Sequence, residues 1–238
     1  MDIELNKAHF PVTVLGPGRR IGLWLQGCSI GCAGCVSKDT WPADPGRAIA
    51  VETLLRWCRD VSGDILDGIT ISGGEPFEQP AALSALLAAL DAWRAEIDAD
   101  FDLLAYSGLP LRRLQREHRP LLGQLDAVIP EPYVETLPLG QRWRGSSNQP
   151  LVALSARGRR RYADVATLFD GVTTGAISDG ASPGDPSDGV LPAPDRRLQV
   201  SVDAGRIWFI GVPERGEMAR VEAACRERGL VFVESSWR

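Results

Sequence analysis

Residues 25–41 read LQGCSIGCAGCVSKDTW and directly follow the apolar run that begins IGLWL at position 21. Three of the five cysteines of the chain, Cys28, Cys32 and Cys35, fall within this stretch. The run before them is rich in branched residues and predicts a buried β-strand. Glycines between the cysteines allow the loop to turn three thiolates towards one centre. The pattern therefore predicts a strand that ends in a metal-binding loop.

Outward from this stretch, apolar runs alternate with helical patterns, which is typical of a parallel sheet flanked by helices. This alternation allows a barrel or an open sheet, and we predict an α/β fold with a partial (βα)6-type barrel of parallel strands. Ligands of such folds bind at the carboxyl ends of the strands. Beyond the strand at 21–27, we expect strands at 67–73, 101–106, 125–130 and 150–154, and helices at 50–60, 79–97 and 109–118.

The composition predicts three segments along the chain. Residues 1–170 hold the alternating pattern and form a core domain. Residues 171–195 are dense in Gly, Pro, Ser and Asp and read as a linker, because they cannot bury enough apolar surface. Residues 196–238 predict a hairpin, a helix and a final strand at 230–235, which together form a ββαβ C-terminal extension.

Charge and composition exclude several classes of protein. The chain has 238 residues, 44% of them hydrophobic, and can bury a full core. Its net charge of -5 and pI near 5.2 give no basic field, so no nucleic-acid partner is expected. We expect no secretory signal and no membrane partner, since no apolar run approaches a membrane span. An odd number of cysteines without an export signal favours a metal site in a cytoplasmic protein.

The remaining cysteines, Cys58 and Cys225, lie far from the loop in sequence, so the spacing predicts three protein ligands and one open metal position. An open position favours catalysis, because structural tetrahedral sites are normally closed by a fourth ligand. The alternative is a closed zinc site completed by Cys58, Cys225, His9 or His118. The protein would then be a non-catalytic metal-binding module whose C-terminal tail mediates assembly.

A second motif follows the predicted strand DGITISG, where the chain reads Gly73-Gly74-Glu75-Pro76. Two glycines let the backbone approach a ligand closely at the carboxyl end of a strand, and Glu75 adds a carboxylate that suits an ammonium group. An ordinary β-to-α turn would explain the same residues. In combination with the cysteine loop, however, the motif is specific.

At these residues the chain resembles the radical S-adenosylmethionine (SAM) enzymes of the type that activates glycyl radical enzymes. The segment GPGRRIGLWLQGCSIGCAGCVSKDTW (16–41) is similar to the cluster region of the pyruvate formate-lyase activating enzymes. LLAYSG (103–108), LDAVIPEPY (125–133) and WRGSSNQ (143–149) are similar to successive segments of the anaerobic ribonucleotide reductase activating proteins. The resemblance covers roughly residues 12–150 and excludes the linker and tail.

The resemblance implies a 4Fe-4S cluster held by Cys28, Cys32 and Cys35, with SAM chelated by the iron that lacks a protein ligand. Reductive cleavage of SAM would give methionine and a 5′-deoxyadenosyl radical, which takes a hydrogen atom from a protein or peptide substrate. The implied activity is that of a radical SAM oxidoreductase. A low-potential electron donor such as flavodoxin or ferredoxin would supply the electron.

The resemblance also implies the residues that bind the cofactor. Gly73, Gly74, Glu75 and Pro76 would hold the methionine end of SAM. Gly34 stands where many members have an aromatic residue, so packing of the adenine is expected to use backbone and another side chain such as Trp41. Core packing is the alternative for Tyr106, and a capped turn is the alternative for the segment 143–149. Further contacts to the cofactor are expected from Tyr106, Ser107, Ser146 and Asn148.

Overall fold

A computed structural model describes residues 1–63, 65–165, 197–203 and 206–238. A seven-stranded sheet forms the centre of the core domain, and its strands follow the order β3-β1-β2-β4-β5-β6-β7. Its strands are Asp2–Val12 (β1), Arg20–Leu25 (β2), Ala48–Ala50 (β3), Gly68–Gly73 (β4), Asp102–Tyr106 (β5), Ala127–Ile129 (β6) and Val152–Ala153 (β7).

The middle of the sheet is parallel. Strands β2, β4, β5 and β6 run in the same direction, while β1 and β3 at one edge and β7 at the other pair antiparallel. The predicted α/β class with a parallel-rich sheet is confirmed. The structure describes four parallel strands, fewer than the six of the predicted barrel. All four end at the same edge of the sheet, where ligands of such folds bind.

Three helices of the core domain lie close to the predicted ranges, and two short ones, at 119–122 and 156–161, were not predicted. The second helix begins at Pro80, a favourable first position because proline lacks the N–H that would be unsatisfied there. It buries Leu83, Leu86, Leu87 and Leu90 against the sheet at helical spacing. The six helices described are Val51–Ser62 (α1), Pro80–Glu96 (α2), Leu111–Glu117 (α3), Arg119–Leu122 (α4), Ala156–Arg161 (α5) and Glu217–Glu227 (α6).

A buried ion pair joins the parallel strands near their amino ends. The guanidinium of Arg20 donates to both carboxylate oxygens of Asp102 at 2.8 and 2.9 Å, and both side chains are fully buried. Arg20 also donates to the hydroxyl of Thr70 at 2.6 Å, and Tyr162 donates to Asp102 at 2.5 Å. A Cβ at Gly16 would lie 2.6 Å from Nε of Arg20, so the GPG turn needs glycine to pack over the guanidinium.

The C-terminal extension, called the appendage from here on, contains a hairpin and a helix. Leu198–Asp203 (β8) pairs antiparallel with Arg206–Gly211 (β9), and α6 follows. The predicted final strand at 230–235 is wrong, because these residues have no strand pairing. Instead Phe232 packs edge to face against the rings of Phe209 and Trp237, with centroids 5.7 and 6.0 Å away. The predicted linker 171–195 lies outside the described residues.

The appendage docks on the core domain through polar and apolar contacts. The amide of Gln199 accepts from the backbone N–H of Thr13 at 2.9 Å, and Arg197 donates to the carbonyl of Gly140 at 2.8 Å. Ile210 joins an apolar cluster of the core domain that contains Val12 of β1, Trp24 of β2, and Val14 and Leu15 from the segment between these strands. In the part of the chain that the structure describes, no helix is long and apolar enough to cross a membrane.

Candidate active site

A cavity of about 310 Å³ opens at the carboxyl ends of the parallel strands. This volume is typical of a small-molecule or cofactor site. Loops that follow β2, β4, β5 and β6 line the cavity, and the appendage contributes to the lining as well. Of the residues predicted from the sequence, the lining contains Cys28, Cys32, Gly34, Cys35, Trp41, Gly73, Gly74, Glu75, Tyr106 and Ser107.

Backbone hydrogen bonds join the two ends of the cysteine loop. The backbone N–H of Gly27 donates to the carbonyl of Thr40 at 2.7 Å, and that of Cys28 donates to the carbonyl of Trp41 at 3.0 Å. These two bonds join the QGC and DTW ends of the motif. The loop between them therefore has a fixed base on β2, although its glycines adopt left-handed backbone angles.

Gln26 holds the returning end of this loop. Its side chain is 2% exposed and donates to the carbonyl of Pro42 at 2.5 Å and to that of Asp39 at 3.3 Å. Its amide oxygen accepts from Asn6 of β1 at 2.7 Å. A buried amide with three partners needs both a donor and an acceptor group, which explains why glutamine precedes the glycine here.

The three cysteines of the motif are free thiols that line the cavity and are half-buried. Burial raises the pKa of Cys28 and of Cys32, which disfavours the thiolate in the protein without metal. Iron would reverse this preference, because a metal binds the deprotonated sulfur and releases the proton. The donor set therefore fits a thiolate-bound iron–sulfur centre.

The three thiols of the motif line one cavity. Among residues 1–63, 65–165, 197–203 and 206–238, no three Cys, His, Asp or Glu side chains are grouped so as to hold one metal ion. The cysteines of an iron–sulfur cluster bind separate iron atoms, so their sulfurs need not converge on one point. Three thiols around an open cavity are compatible with the cluster.

None of the four side chains considered as a closing zinc ligand lines the cavity. Cys58 is fully buried in α1, where burial raises its pKa to about 12, and it packs as a small apolar residue. Cys225 lies on α6. The ring of His9 packs on Trp208 and the ring of His118 on Phe77, with centroids 4.7 and 5.3 Å apart.

Gly73 and Gly74 are required by the close approach of β4 to the end of β2. The N–H of Gly74 donates to the carbonyl of Leu25 and that of Glu75 to the carbonyl of Gly27, both at 2.8 Å. A Cβ on Gly74 would overlap the carbonyl of Gly27, and Gly73 has a φ of +98°. An ammonium ligand has only hydrogen-bond donors, so carbonyl oxygens of this turn would hold it.

Glu75 joins the loops that follow β4 and β5. Its side chain is 1% exposed and accepts from the hydroxyl of Ser107 at 2.8 Å and from the N–H of Gly108 at 2.7 Å. It also accepts from the N–H of Phe77 at 3.1 Å. Burial raises the pKa of Glu75 to about 7, although these three donors favour the carboxylate. Pro76 is buried behind it, opens the 3-10 turn Pro76–Glu78 and does not line the cavity.

Tyr106 and Ser107 both line the cavity at the end of β5. The hydroxyl of Tyr106 donates to the carbonyl of Trp143 at 2.6 Å, and burial raises its pKa. The hydroxyl of Ser107 accepts from the N–H of Leu109 at 3.0 Å while it donates to Glu75. Each hydroxyl therefore fixes a loop at the cavity.

Ser146 and Asn148 lie beside the cavity and not in its lining. The hydroxyl of Ser146 donates to the amide oxygen of Asn148 at 2.6 Å, and the amide of Asn148 donates to the carbonyl of Pro132 at 2.9 Å. Their polar groups thus shape the loop after β6. From the same segment, Gly145 and Gln149 do line the cavity, and the N–H of Gly145 donates to Gln149 at 2.9 Å.

Several residues at the site were missed from the sequence. The carboxylate of Glu78 accepts from the N–H of Ser29 at 3.1 Å and from its hydroxyl at 2.5 Å, which ties the cysteine loop to the turn after Gly73-Gly74-Glu75. Tyr133 and Glu135 line the cavity, and a Cβ on Gly34 would lie 2.8 Å from Glu135. Tyr133 and Glu135 are polar and follow the strand predicted at 125–130, and this position could have identified them as site residues. The appendage residues gave no such signal.

The parallel sheet, the three thiols and the glycine turn define an α/β protein built to hold an iron–sulfur cluster with an open position. Residues 14–152 match the family described as 4Fe-4S single cluster domain. The anaerobic ribonucleoside-triphosphate reductase-activating protein of Vibrio cholerae is 31% identical over 145 residues, which cover 59% of this chain and 92% of that protein. The protein of the same name from Escherichia coli is 28% identical, with 59% of this chain and 93% of that protein covered.

The phage T4 protein of that name is 29% identical over 140 residues, with 58% of this chain and 86% of that protein covered. A crystal structure of QueE from Escherichia coli has 23% identity and a TM-score of 0.38, and covers 45% of this chain and 53% of that one. That likeness is too distant to carry a conclusion. The chain belongs to the 4Fe-4S single cluster domain family and, within it, to the radical SAM enzymes of the activating type.

The protein is therefore an enzyme that uses a 4Fe-4S cluster and SAM. When bound, these cofactors supply a one-electron cleavage of SAM that gives a 5′-deoxyadenosyl radical able to abstract a hydrogen atom from a protein or peptide. The chain itself supplies the thiols, the glycine turn and the cavity that both of them line. The non-catalytic module considered from the sequence is thereby overturned.

Proposed function

We propose that this enzyme installs a glycyl radical in a partner protein of the anaerobic ribonucleoside-triphosphate reductase class. The observation that carries the proposal is the match to reductase-activating proteins over nearly their whole length. The cavity, with three cysteine thiols and the glycine turn in one lining, supports the same reading. The partner's glycine would be the hydrogen donor.

In this proposal Cys28, Cys32 and Cys35 hold the cluster. The carbonyl oxygens of the turn at Gly73 and Gly74 accept from the ammonium of SAM, since an ammonium has only hydrogen-bond donors. Glu75 acts as a positioning residue that holds the loop after β4 and the loop after β5 together. Contacts to the cofactor are further proposed for Gly34, Tyr106 and Ser107, while Pro76, Ser146 and Asn148 would act by shaping neighbouring loops.

The larger organisation also stays a proposal. It comprises a partial (βα)6-type barrel in residues 1–170, a linker at 171–195 and an extension at 196–238. A flavodoxin or ferredoxin would deliver the electron, because reduction of a SAM-bound cluster needs a low-potential donor. We propose a cytoplasmic location and no nucleic-acid or membrane partner, which is in keeping with the net charge of -5.

Electron paramagnetic resonance on the pair of proteins tests this function. The cluster-loaded enzyme is reduced anaerobically and mixed with SAM and an anaerobic ribonucleoside-triphosphate reductase. We expect a glycyl radical signal that requires SAM and disappears when the reductase's radical-bearing glycine is replaced by alanine. Cys58→Ala serves as a matched enzyme control, because Cys58 is a free cysteine outside the cavity. Formation of 5′-deoxyadenosine without any partner radical would contradict the proposed substrate.

A further inference from the structure

The appendage reaches into the active-site cavity. Residues 211–216, Met218, Ala219 and Trp237 line the same cavity as the three cysteines, and we call these appendage residues the C-terminal wall. The family match ends at residue 152. About 59% of this chain aligns with 92% and 93% of the two reductase-activating relatives from Vibrio cholerae and Escherichia coli. The C-terminal wall therefore lies outside the part of the chain that matches the family.

The C-terminal wall is attached directly to the cysteine loop. The carbonyl of Ser236 accepts from the backbone N–H of Lys38 at 2.6 Å and from that of Asp39 at 3.3 Å. Lys38 and its neighbours Val36 and Ser37 line the cavity between Cys35 and this contact. Trp237 is the next residue of the chain, so its ring belongs to the segment that is bonded to the end of the cysteine loop.

The two groups of lining residues differ in chemistry. The core domain contributes the thiols, the glycine turn, Glu75 and Ser107, which suit charged and polar groups of a ligand, and also aromatic rings such as Trp24, Trp41 and Tyr133. The C-terminal wall contributes Val212, Pro213, Met218, Ala219 and Trp237, which are apolar, together with two charged residues of the loop 211–216. The charged and thiol groups that suit the amino-acid end of a ligand come from the core domain, and the appendage adds an apolar surface with a further aromatic ring.

We infer that the C-terminal wall binds the nucleoside end of SAM, with Trp237 as the principal contact. SAM combines a charged amino-acid end, which matches the glycine turn, with a flat aromatic base, which matches an apolar wall. Stacking of a nucleobase on an aromatic side chain is a strong and common contact. The inference concerns the cofactor alone and is independent of the proposed partner protein.

Calorimetric titration of SAM into the anaerobic, cluster-loaded, unreduced protein tests this assignment without measuring catalysis. We expect Trp237→Ala to raise the Kd for SAM about tenfold, and Trp237→Phe to restore most of the affinity. Iron and sulfide content and far-ultraviolet circular dichroism should match those of the wild type, which shows that the appendage and the cluster remain intact.

Phe232→Ala is the matched control. Phe232 packs on the ring of Trp237 and on Phe209 but does not line the cavity, so it reports the effect of loosening the appendage alone. We expect its Kd for SAM to stay within about twofold of the wild type. Equal losses of affinity in Trp237→Ala and Phe232→Ala would overturn the inference, because the tryptophan would then act only through packing.

Competition by the two halves of SAM identifies which end meets the C-terminal wall. 5′-Deoxyadenosine should compete with SAM less effectively in Trp237→Ala than in the wild type, whereas competition by methionine should be unchanged. An unchanged Kd for SAM in Trp237→Ala would also overturn the inference and would assign the C-terminal wall to the hydrogen donor. If the SAM effect is found but no partner radical forms, only the proposed substrate fails.

Discussion

Glu75 is the residue whose charge state matters most at the site. Burial raises its pKa from the usual 4.5 to about 7. Between these values the folded protein holds a proton that the unfolded chain has released. The contribution of Glu75 to the free energy of unfolding is therefore complete below about pH 4.5 and is lost as the pH rises through about 7.

The wild type and Glu75→Gln are compared by the difference between their free energies of unfolding, wild type minus variant. We expect this difference to fall by up to about 3 kcal/mol as the pH rises from about 4 to about 8. Denaturant unfolding of the cluster-free proteins at several pH values measures this difference. A difference that does not vary with pH would mean that the three hydrogen-bond donors keep Glu75 ionised throughout.

Gly74 is a residue of the site that leaves no room for an added methyl group. A Cβ there would overlap the carbonyl of Gly27, so Gly74→Ala must separate the turn after β4 from the end of β2. We expect affinity for SAM to fall at least tenfold, measured by titration of the cluster-loaded protein. Gly123→Ala is the control, because Gly123 has space for a Cβ. Equal affinities of Gly74→Ala and wild type would show that the close approach is dispensable.

At the residue scale, the sequence motifs could be predicted, but the residues that form hydrogen bonds with them could not. The spacing of Cys28, Cys32 and Cys35 identifies them without a structure, because few other functions need three thiols in one glycine-rich loop. The partnership of Ser29 with Glu78 depends on how two loops meet and leaves no pattern in the sequence. Ser146 and Asn148 were expected at the cofactor from the resemblance, and this stays a prediction; their hydrogen bonds shape the loop after β6.

At the scale of elements, the buried pair of Arg20 and Asp102 ties β2 to β5 beneath the cavity. Asp102→Asn leaves the guanidinium buried and uncompensated, so we expect it to lower the free energy of unfolding by about 3–5 kcal/mol. Urea unfolding of the cluster-free protein measures the loss. Glu96→Gln is the control, since it breaks an exposed pair with Arg59 and should cause no measurable change. A loss no larger than that of the control would contradict a structural role for the buried pair.

The elements that were predicted correctly are those with a strong local pattern. Helix α2 was expected at 79–97 and spans Pro80–Glu96, since its leucines repeat at helical spacing. Strand β1 was missed, because DIELNKAHFPV mixes charged and apolar residues and contains no continuous apolar run. The final strand at 230–235 was predicted from the apolar run LVFV, but it has no partner strand and Phe232 packs on aromatic rings.

At the scale of the whole molecule, the last residues of the chain secure the loop that carries the cluster ligands. A chain that ends at Ser235 loses the carbonyl of Ser236, which accepts from Lys38 and Asp39. We expect the shortened protein to lose its cluster in air several times faster than the wild type does. The visible absorbance of the cluster measures this rate. Arg238→Ala keeps Ser236 and should behave as wild type. Equal rates in the shortened and full chains would show that this contact does not protect the cluster.

The whole molecule also shows where sequence reasoning ends. Its α/β class follows from alternating patterns, whereas the position of the appendage over the cavity depends on contacts such as Gln199 with Thr13, between residues far apart in the chain. A hairpin and a helix can be predicted locally, but the surface on which they dock cannot. The central claim, a SAM-cleaving iron–sulfur enzyme, rests on the core domain and can be tested without the appendage being altered.

Quantifying 5′-deoxyadenosine tests that claim most directly. The anaerobically reconstituted protein is given SAM and a strong reductant, beside Cys32→Ala and the matched variant Cys58→Ala. We predict that the wild type and Cys58→Ala form 5′-deoxyadenosine and that Cys32→Ala forms none, because Cys32 faces the cavity while Cys58 is buried in α1. A wild type with full iron and sulfide content that forms no 5′-deoxyadenosine, or equal formation by Cys32→Ala, would contradict the account.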